Sequence, residues 1–534
     1  MRQLPNRLDE PPSSGRTPQE THVRKMTAAT LFLLVSPWAT GCGTVPDVND
    51  AGAPCEGTSC DGEPPPESVC VEHIAAGILD SGCGVFVAGN FGGGDDRHPG
   101  TKEKPVYTIR RAIQLARAGR GRVFLCNEIF EEDPIFLPSG VDILGGFNCR
   151  TWVHDSQRPR SMLNYREFDG APMTIEPAGQ EDQGAADGVS TLADLDLRVA
   201  SATGVIVRSN TVVEILRSEI RVNSGRAGSD GEKWPRYSPP VGPDGMFAAE
   251  ACSAAIVAGG AAAVNRCESG LTSIGGKGGN GLPDSAEDGN DGEPASERDP
   301  SPSGIGGTAE QDNVRCYNGS DGGPGAPGTQ GAPGEGVGRL TETGWEGDTG
   351  AEGSWGTPGQ GGGGGGGRRG GLAMCGVTSK GGAGGGSGGA GGCGGRGGRG
   401  GANAHPAIGV VALHARLTVR DSMIMTGYGG TGGNGGPPQQ GGEGGRGAPG
   451  AALLDVFQAC MGGRGGQGGP GGYGGPGRGG DSIGVAYLDE DQLTLEGVTF
   501  EIGQPGKGGT SWNHDGSTTV GESGEAHETL RFPE

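Results

Sequence analysis

The residues that could do chemistry fall into a few groups. Asp194 and Asp196 are two carboxylates separated by one residue, and Asp95-Asp96 and Glu131-Glu132 are adjacent pairs. Glycosidic hydrolysis needs two carboxylates at a defined separation across a cleft. Asp194 and Asp196, however, flank Leu195 in an alternating segment, so they read as solvated outer-face residues while Leu195 points inward. Asp95-Asp96 falls in a loop ahead of the first helical segment. Arg198, Arg217 and Glu219 can gather on one outer face, where a salt-bridged surface accounts for them. Asp288 to Glu293 (DGNDGE) is rich in oxygen ligands but one residue short of the spacing of a calcium loop, and it reads as a solvated acidic turn. Arg396 and Arg399 lie in Arg-Gly-Gly repeats, a composition that suits nucleic acid. The net charge of −23 opposes that partner. The eight His are scattered, none stands near a Cys at ligand spacing, and no Cys-x-x-Cys occurs. No catalytic, metal-binding or cofactor-binding constellation emerges, so no cofactor and no nucleic-acid partner are expected.

What positions these groups has to come from a restricted part of the chain. The 534 residues include 118 Gly and 37 Pro, and only 32% are hydrophobic. Most Val, Ile, Leu and Phe concentrate around residues 71–223, 405–427 and 481–502. The remainder holds too little apolar surface to offset the entropy of ordering by itself.

At the N-terminus, Arg24-Lys25 precedes the apolar run Met26–Trp38, which leads into Ala39-Thr40-Gly41-Cys42. That run is too short to span a bilayer and has the basic–apolar–small order of a secretory signal. Small residues directly before a Cys resemble the lipobox of bacterial lipoproteins, with Ala39 standing where Leu is usual. The resemblance implies cleavage before Cys42, acylation of its thiol, and lipid anchoring of an exported protein at the outer membrane or cell surface. Of the thirteen Cys, twelve then remain, an even number that suits disulfides in an oxidising compartment.

Beyond an acidic, Pro-rich stretch, alternation begins at Gly84-Val85-Phe86-Val87-Ala88. Ile109, Ala112, Ile113 and Ala116 then mark one face of a helix, with Thr108 placed to cap it and Gly119 to end it. Short strands follow, with inward pairs at Val123/Leu125, Val141/Ile143, Met173/Ile175, Leu195/Leu197 and Ser218/Ile220. Their near-constant step is the trace of a solenoid. One pattern survives the glycine-rich interruptions. Val213, Ile215, Ser218 and Ile220 match Leu417, Val419, Ser422 and Ile424, and then Leu493, Leu495, Val498 and Phe500. Gly204-Val205, Gly409-Val410 and Gly484-Val485 precede the three sets. These segments read as successive coils.

Gly84 to Phe147 resembles the N-terminal block of right-handed parallel β-helix proteins of the pectate-lyase-like superfamily. The matching pieces are GVFVAGN, the Pro99-Gly100-Thr101 to Ala112-Ile113 run, RVFLC, and Gly140-Val141 to Leu144-Gly145-Gly146-Phe147. With Gly146-Phe147-Asn148-Cys149, Trp152 and the glycine-rich inserts, the chain also resembles glycine-rich, PGRS-like surface lipoproteins of myxobacteria. The resemblance implies an all-β fold, a right-handed parallel β-helix whose N-terminal helix covers its first coil. It implies little about function, because that fold serves lyases, hydrolases, adhesins and spacers. The Asn-Thr-Asp, Gly-His-Gly and Arg-Ile-Lys motifs of its polygalacturonase-type hydrolases are missing. Glu131-Glu132 after Phe130 is similar to a turn found in pectinesterases and in their non-enzymatic relatives.

The sequence thus divides into a lipoprotein signal (1–41), an acidic Pro-rich tether (42–69), the cap and first coils (70–224), a glycine-rich insertion (225–404), a coil (405–427), a second insertion (428–480), a coil (481–503) and a C-terminal tail (504–534). Within the insertions, 387–401, 428–436 and 461–475 keep a strict Gly-Gly-x period. A left-handed extended helix of three residues per turn would give such a run two bare faces on which neighbours can pack. The same composition also suits a flexible coil. Cys126 and Cys149 fall at turns one coil apart, at the ~4.8 Å spacing of paired strands, which fits a disulfide. Cys70 then pairs with Cys83; the competing pattern joins Cys83 to Cys126 and Cys70 to Cys149. The function expected is a non-enzymatic surface lipoprotein in adhesion, matrix contact or envelope structure. Its partners would be the membrane, through the lipid, and extracellular polysaccharide or surface proteins. The alternative is a polysaccharide lyase or hydrolase of the same fold.

Overall fold

A computed structural model describes residues 65–154, 160–165, 171–179, 188–235, 239–295, 303–311, 315–453 and 457–533. Cys42, the signal 1–41 and most of the tether lie outside them. The protein is mostly β, built on three parallel sheets that the chain visits in rotation. The first sheet is ordered Val85–Val87, Arg122–Cys126, Asp142–Phe147, Val189–Ala193, Val212–Leu216, Arg416–Arg420, Leu493–Glu496. The second runs Ile129–Glu132, Ser161–Tyr165, Leu195–Val199, Glu219–Val222, Met423–Met425, Thr499–Glu501. The third runs Ile135–Pro138, Met173–Glu176, Thr203–Val207, Ala407–Ala412, Ser482–Tyr487, Ala526–Arg531.

Register follows the matched offsets. Val213 pairs with Leu417 and Leu417 with Leu493; Ile220 pairs with Ile424 and Ile424 with Phe500; Val205 pairs with Val410 and Val410 with Val485. The constant step is corrected in its grouping. Met173/Ile175 belongs to the third sheet and Leu195/Leu197 to the second, with Val189–Ala193 of the first sheet between them, so that interval is not a step within one sheet. The partners in register on neighbouring strands are Leu197 with Ile220 and Met173 with Val205. Val141 lies outside the named strand, and Val123 pairs with Ile143.

Corners between the first and second sheets are left-handed at Asp194, Arg217 and Asp421, with Gly497 in the same place between the last strands of those sheets. Amides climb this corner: Asp194 donates to the Leu216 carbonyl, Arg217 to Arg420 and Asp421 to Glu496. Beside it, buried Ser161, Ser218 and Ser422 bond the backbone of adjoining turns, which satisfies groups that burial would otherwise strand. The helix α2 (Ile109–Arg117) buries Ile109, Ala112, Ile113 and Ala116 at the near end of the stack, and Thr108 Oγ1 accepts the Arg111 N–H.

Strands of the third sheet read as unbroken apolar runs (AIGVVA, SIGVAY) because both faces are covered. Their inner face joins the main core. Ile206, Ile408, Val411, Ile483 and Ala486 face outward into a second cluster, closed by Leu340 and Trp345 of the hairpin Arg339–Thr341/Gly344–Glu346. Gly409 is obligatory inside this sheet, since an added Cβ would lie 2.4 Å from Ile424 Cγ2.

Each of the three glycine-rich excursions leaves the second sheet and returns to the third. They are laid side by side in extended runs bonded at every third residue. Gly353, Gly356 and Gly359 donate to the carbonyls of Gly398, Gly395 and Gly392, whose own amides donate to Gly472, Gly469 and Gly466. Runs lie so close that a Cβ on Gly397 would sit 1.7 Å from the Gly353 oxygen. Three disulfides cross these layers: Cys252–Cys375, Cys267–Cys393 and Cys316–Cys460. Near the first strands, Cys126 is bonded to Cys149 and Cys70 to Cys83.

Two boundaries are corrected. The stretch read as tether to residue 69 already contains the start of helix α1 (Glu67–Ala75), which Cys70 fixes to the body. The stretch read as a tail from residue 504 forms, over 504–533, a third glycine-rich excursion with the hairpin Thr510–Trp512/Thr518–Val520, then supplies Ala526–Arg531 to the third sheet. Sparse hydrophobicity hid that strand, which at the edge of its sheet buries none of its residues fully and half-buries His527, Thr529 and Leu530.

Candidate functional site

The N–H groups at the start of α2 have no partners within the helix. They are met by carboxylates from two other elements. Asp96 Oδ1 accepts the amides of Tyr107 (3.0 Å) and Thr108 (2.8 Å), and its Oδ2 accepts the Thr108 hydroxyl (2.9 Å). Glu132, at the end of the first strand of the second sheet, accepts the Ile109 amide on Oε1 (2.9 Å). Asp96 and Glu132, with Thr108, Arg110, Glu131 and Asp133, line a cavity of about 430 Å³. A second cavity of about 340 Å³ shares Glu131 and Glu132 and continues along Gly89, Phe91, Tyr107, Glu128 and Ile129. Together they make an acidic groove with an apolar flank, on which the Phe91 ring is 99% exposed.

Burial governs its protonation. It pushes the Glu132 carboxyl up to about 7 against the Ile109 amide and Arg110, with Asp96 and Asp133 adding in the same direction. Burial likewise raises Glu128 against the amides of Gly89 and Gly92. Tyr165 pairs in register with Glu132, is 2% exposed, and its hydroxyl has no hydrogen-bond partner. Burial, reinforced by Glu132, raises that phenol well above its usual value. A carboxyl that titrates near 7 can donate a proton at neutral pH, the property of a general acid. Its neighbours are otherwise engaged: Asp96 is held by three donors, Asp133 lies 3.6 Å from Arg110, and Glu131 accepts from Asn164 at 3.0 Å.

The remaining residues singled out in the sequence have structural partners. Asp196 is corrected from solvated to buried, 8% exposed, and is paired with Arg198 at 3.0 Å. Asp194 sits on the left-handed corner and binds Arg217 at 2.6 Å, also approaching His154. Glu219 binds Arg160 at 3.1 Å and also Arg221, so the outer face of the second sheet is a charge ladder. In the oxygen-rich turn, Asp288 and Asp291 accept the amides of Ala309 and Gly306, and so hold neighbouring runs together. Arg396 and Arg399 pair with Glu268 and Glu232 and lie against Trp234, with Arg396 also over Trp355. Among the described residues, Cys126, Glu128 and Cys149 form a cluster of three potential metal ligands, but both sulfurs are joined to each other.

Sequence reasoning missed the convergence of Asp96 and Glu132. The available signal was that a carboxylate beside inward Phe130 follows the strand, and that Thr108 and its neighbours need acceptors. Comparison with family models, with curated proteins and with solved structures finds no match. The class that the geometry defines is therefore a mostly-β protein of parallel sheets, with five disulfides among the described residues and an acidic groove at the helix-covered end.

Proposed function

We propose that the chain is a non-enzymatic, lipid-anchored surface protein, exported by residues 1–41 and held at the outer membrane or cell surface through acylated Cys42. In this reading its three sheets are a right-handed parallel β-helix of the pectate-lyase-like kind, in the glycine-rich, PGRS-like group of lipoproteins. Its triplet runs are polyglycine-II-like helices stacked against the third sheet. The observation that supports the reading best is the hydrogen-bonded layering of the glycine-rich runs, stapled by three disulfides. Such layers add a broad rigid surface, which suits adhesion to matrix polysaccharide or surface proteins, or an envelope-structural role.

A second reading, a polysaccharide-acting enzyme, is favoured by one observation: the Glu132 carboxyl, raised to about 7, lines a groove with other carboxylates. Glycan-array binding by the purified chain, run beside a reducing-sugar release assay, separates the two. Binding without release supports adhesion. Release that is lost in Glu132→Gln overturns it in favour of the enzyme.

A further inference from the structure

The two ends of the sheet stack differ. At one, α2 packs over the strands Val85–Val87 and Arg122–Cys126. At the other, Leu493–Glu496, Thr499–Glu501 and Ala526–Arg531 are each last in their sheet, and no described strand pairs with their outer edges. Leu493, Leu495, Val498 and Phe500 pack on the core there but stay half-buried, whereas their counterparts Leu417, Val419 and Ile424 are fully buried one coil earlier. An unpaired parallel edge presents alternating N–H and C=O groups that only another extended backbone satisfies repeatedly.

Charge says which extended backbone fits. Around this end stand the exposed carboxylates of Glu490, Asp491, Glu496, Glu501, Glu525 and Glu528. On the strands themselves the basic side chains are His527, which pairs with Glu525, and Arg531, whose Nε donates to the Leu488 carbonyl. A second copy brought up by the same end would set carboxylates against carboxylates within a Debye length of about 8 Å. We propose that this end docks an extended, basic segment of a partner protein by strand addition. Its alternate apolar side chains cover Leu493, Leu495 and Phe500, and its intervening Lys or Arg residues meet Glu501 and Glu528, Glu496 being already bound by Arg420 of the adjacent strand at 2.8 Å.

The test uses the full chain and two synthetic peptides, one alternating Val with Lys and one alternating Val with Glu. Binding is followed by calorimetry and by amide exchange at 493–496, 499–501 and 526–531. The Lys peptide is expected to bind and to slow exchange at those amides. Glu501→Lys and Glu528→Lys, both at exposed positions, should each weaken it about fivefold, and 0.5 M salt should do likewise. Equal binding of both peptides, protection elsewhere only, or protection that rises with protein concentration alone would overturn the proposal, the last by showing that a second copy takes the edge.

Discussion

Asp321 Oδ1 accepts the backbone N–H of Arg464 at 2.7 Å across 143 residues of chain, and the next amide, Gly322, donates back to the Arg464 carbonyl at 2.7 Å. The same two-bond clamp joins Asp230-Gly231 to Asn434, Asp244-Gly245 to Arg446, Asn318-Gly319 to Met461 and Asn434-Gly435 to Thr510. An Asx-Gly pair thus holds both backbone groups of one residue on the neighbouring run, which fixes register where no side chain could. Asp321→Ala is expected to cost about 1 kcal/mol and to speed amide exchange at Arg464, whereas Asp321→Asn keeps the acceptor and should cost less. Equal denaturation midpoints for the two variants would refute the clamp.

Close approach of the runs makes some glycines intolerant of any side chain. Gly397→Ala places a methyl group against the Gly353 carbonyl and should destabilise the protein by about 1–3 kcal/mol. Gly516, on an exposed turn with φ of +84° and open space around its Cβ position, should lose only about 1 kcal/mol on the same change. Urea unfolding of both variants measures the difference; a larger loss at Gly516 would contradict the packing.

The acidic groove makes stability depend on pH in an unusual direction. Because folding raises the Glu132 carboxyl from 4.5 to about 7, the folded state holds more protons between those values. The contribution is full below 4.5 and is lost as pH rises through 7, by on the order of 2 kcal/mol. In Glu132→Gln this dependence should disappear. Parallel stability–pH curves for the parent and the variant would exclude it.

Disulfide removal should rank by the length of chain enclosed. Cys316–Cys460 spans 144 residues and Cys70–Cys83 spans 13. In the chain-entropy account the longer is expected to contribute about 5 kcal/mol and the shorter about 3 kcal/mol. Paired Cys→Ser variants compared by guanidinium unfolding test the order.

Acylation of Cys42 is checked by mass spectrometry of the membrane fraction. A thioether-linked lipid on Cys42 at the mature N-terminus is expected, and Cys42→Ser should leave the protein unanchored. An unmodified thiol there would remove the lipoprotein reading.

Parts of this structure were legible because local pattern carries them. Alternation with matched offsets identified Val213, Leu417 and Leu493 as neighbours, since a residue's inward direction is set by its immediate sequence. Thr108 and Ile109 declared the helix start in the same way. Assignment of strands to sheets was not legible: Met173/Ile175 and Leu195/Leu197 carry the same pattern, although they belong to different sheets with Val189–Ala193 of the first sheet between them. The final strand Ala526–Arg531 was missed because an edge strand needs fewer apolar residues. Asx-Gly dipeptides look like ordinary turns until their partners, up to 204 residues away, are known. The groove escaped for the same reason, since Asp96 and Glu132 meet only through the amides of α2.

Glu219 to Arg221 pairs directly with Met423 to Met425, yet after Val222 the next strand of the three sheets, Ala407–Ala412, begins about 185 residues later in sequence. A stack growing from the helix-covered end must stall there until the whole first excursion has been closed. Closing so long a loop adds little to the equilibrium cost, because that cost grows only logarithmically with length. It weighs heavily on rate, since contacts of high sequence separation slow folding. We therefore expect a kinetic seam between Val222 and Ala407. A half-grown intermediate ending at Val222 should be the species that accumulates on refolding, with its raw edge open to other chains until the glycine-rich runs have found their register.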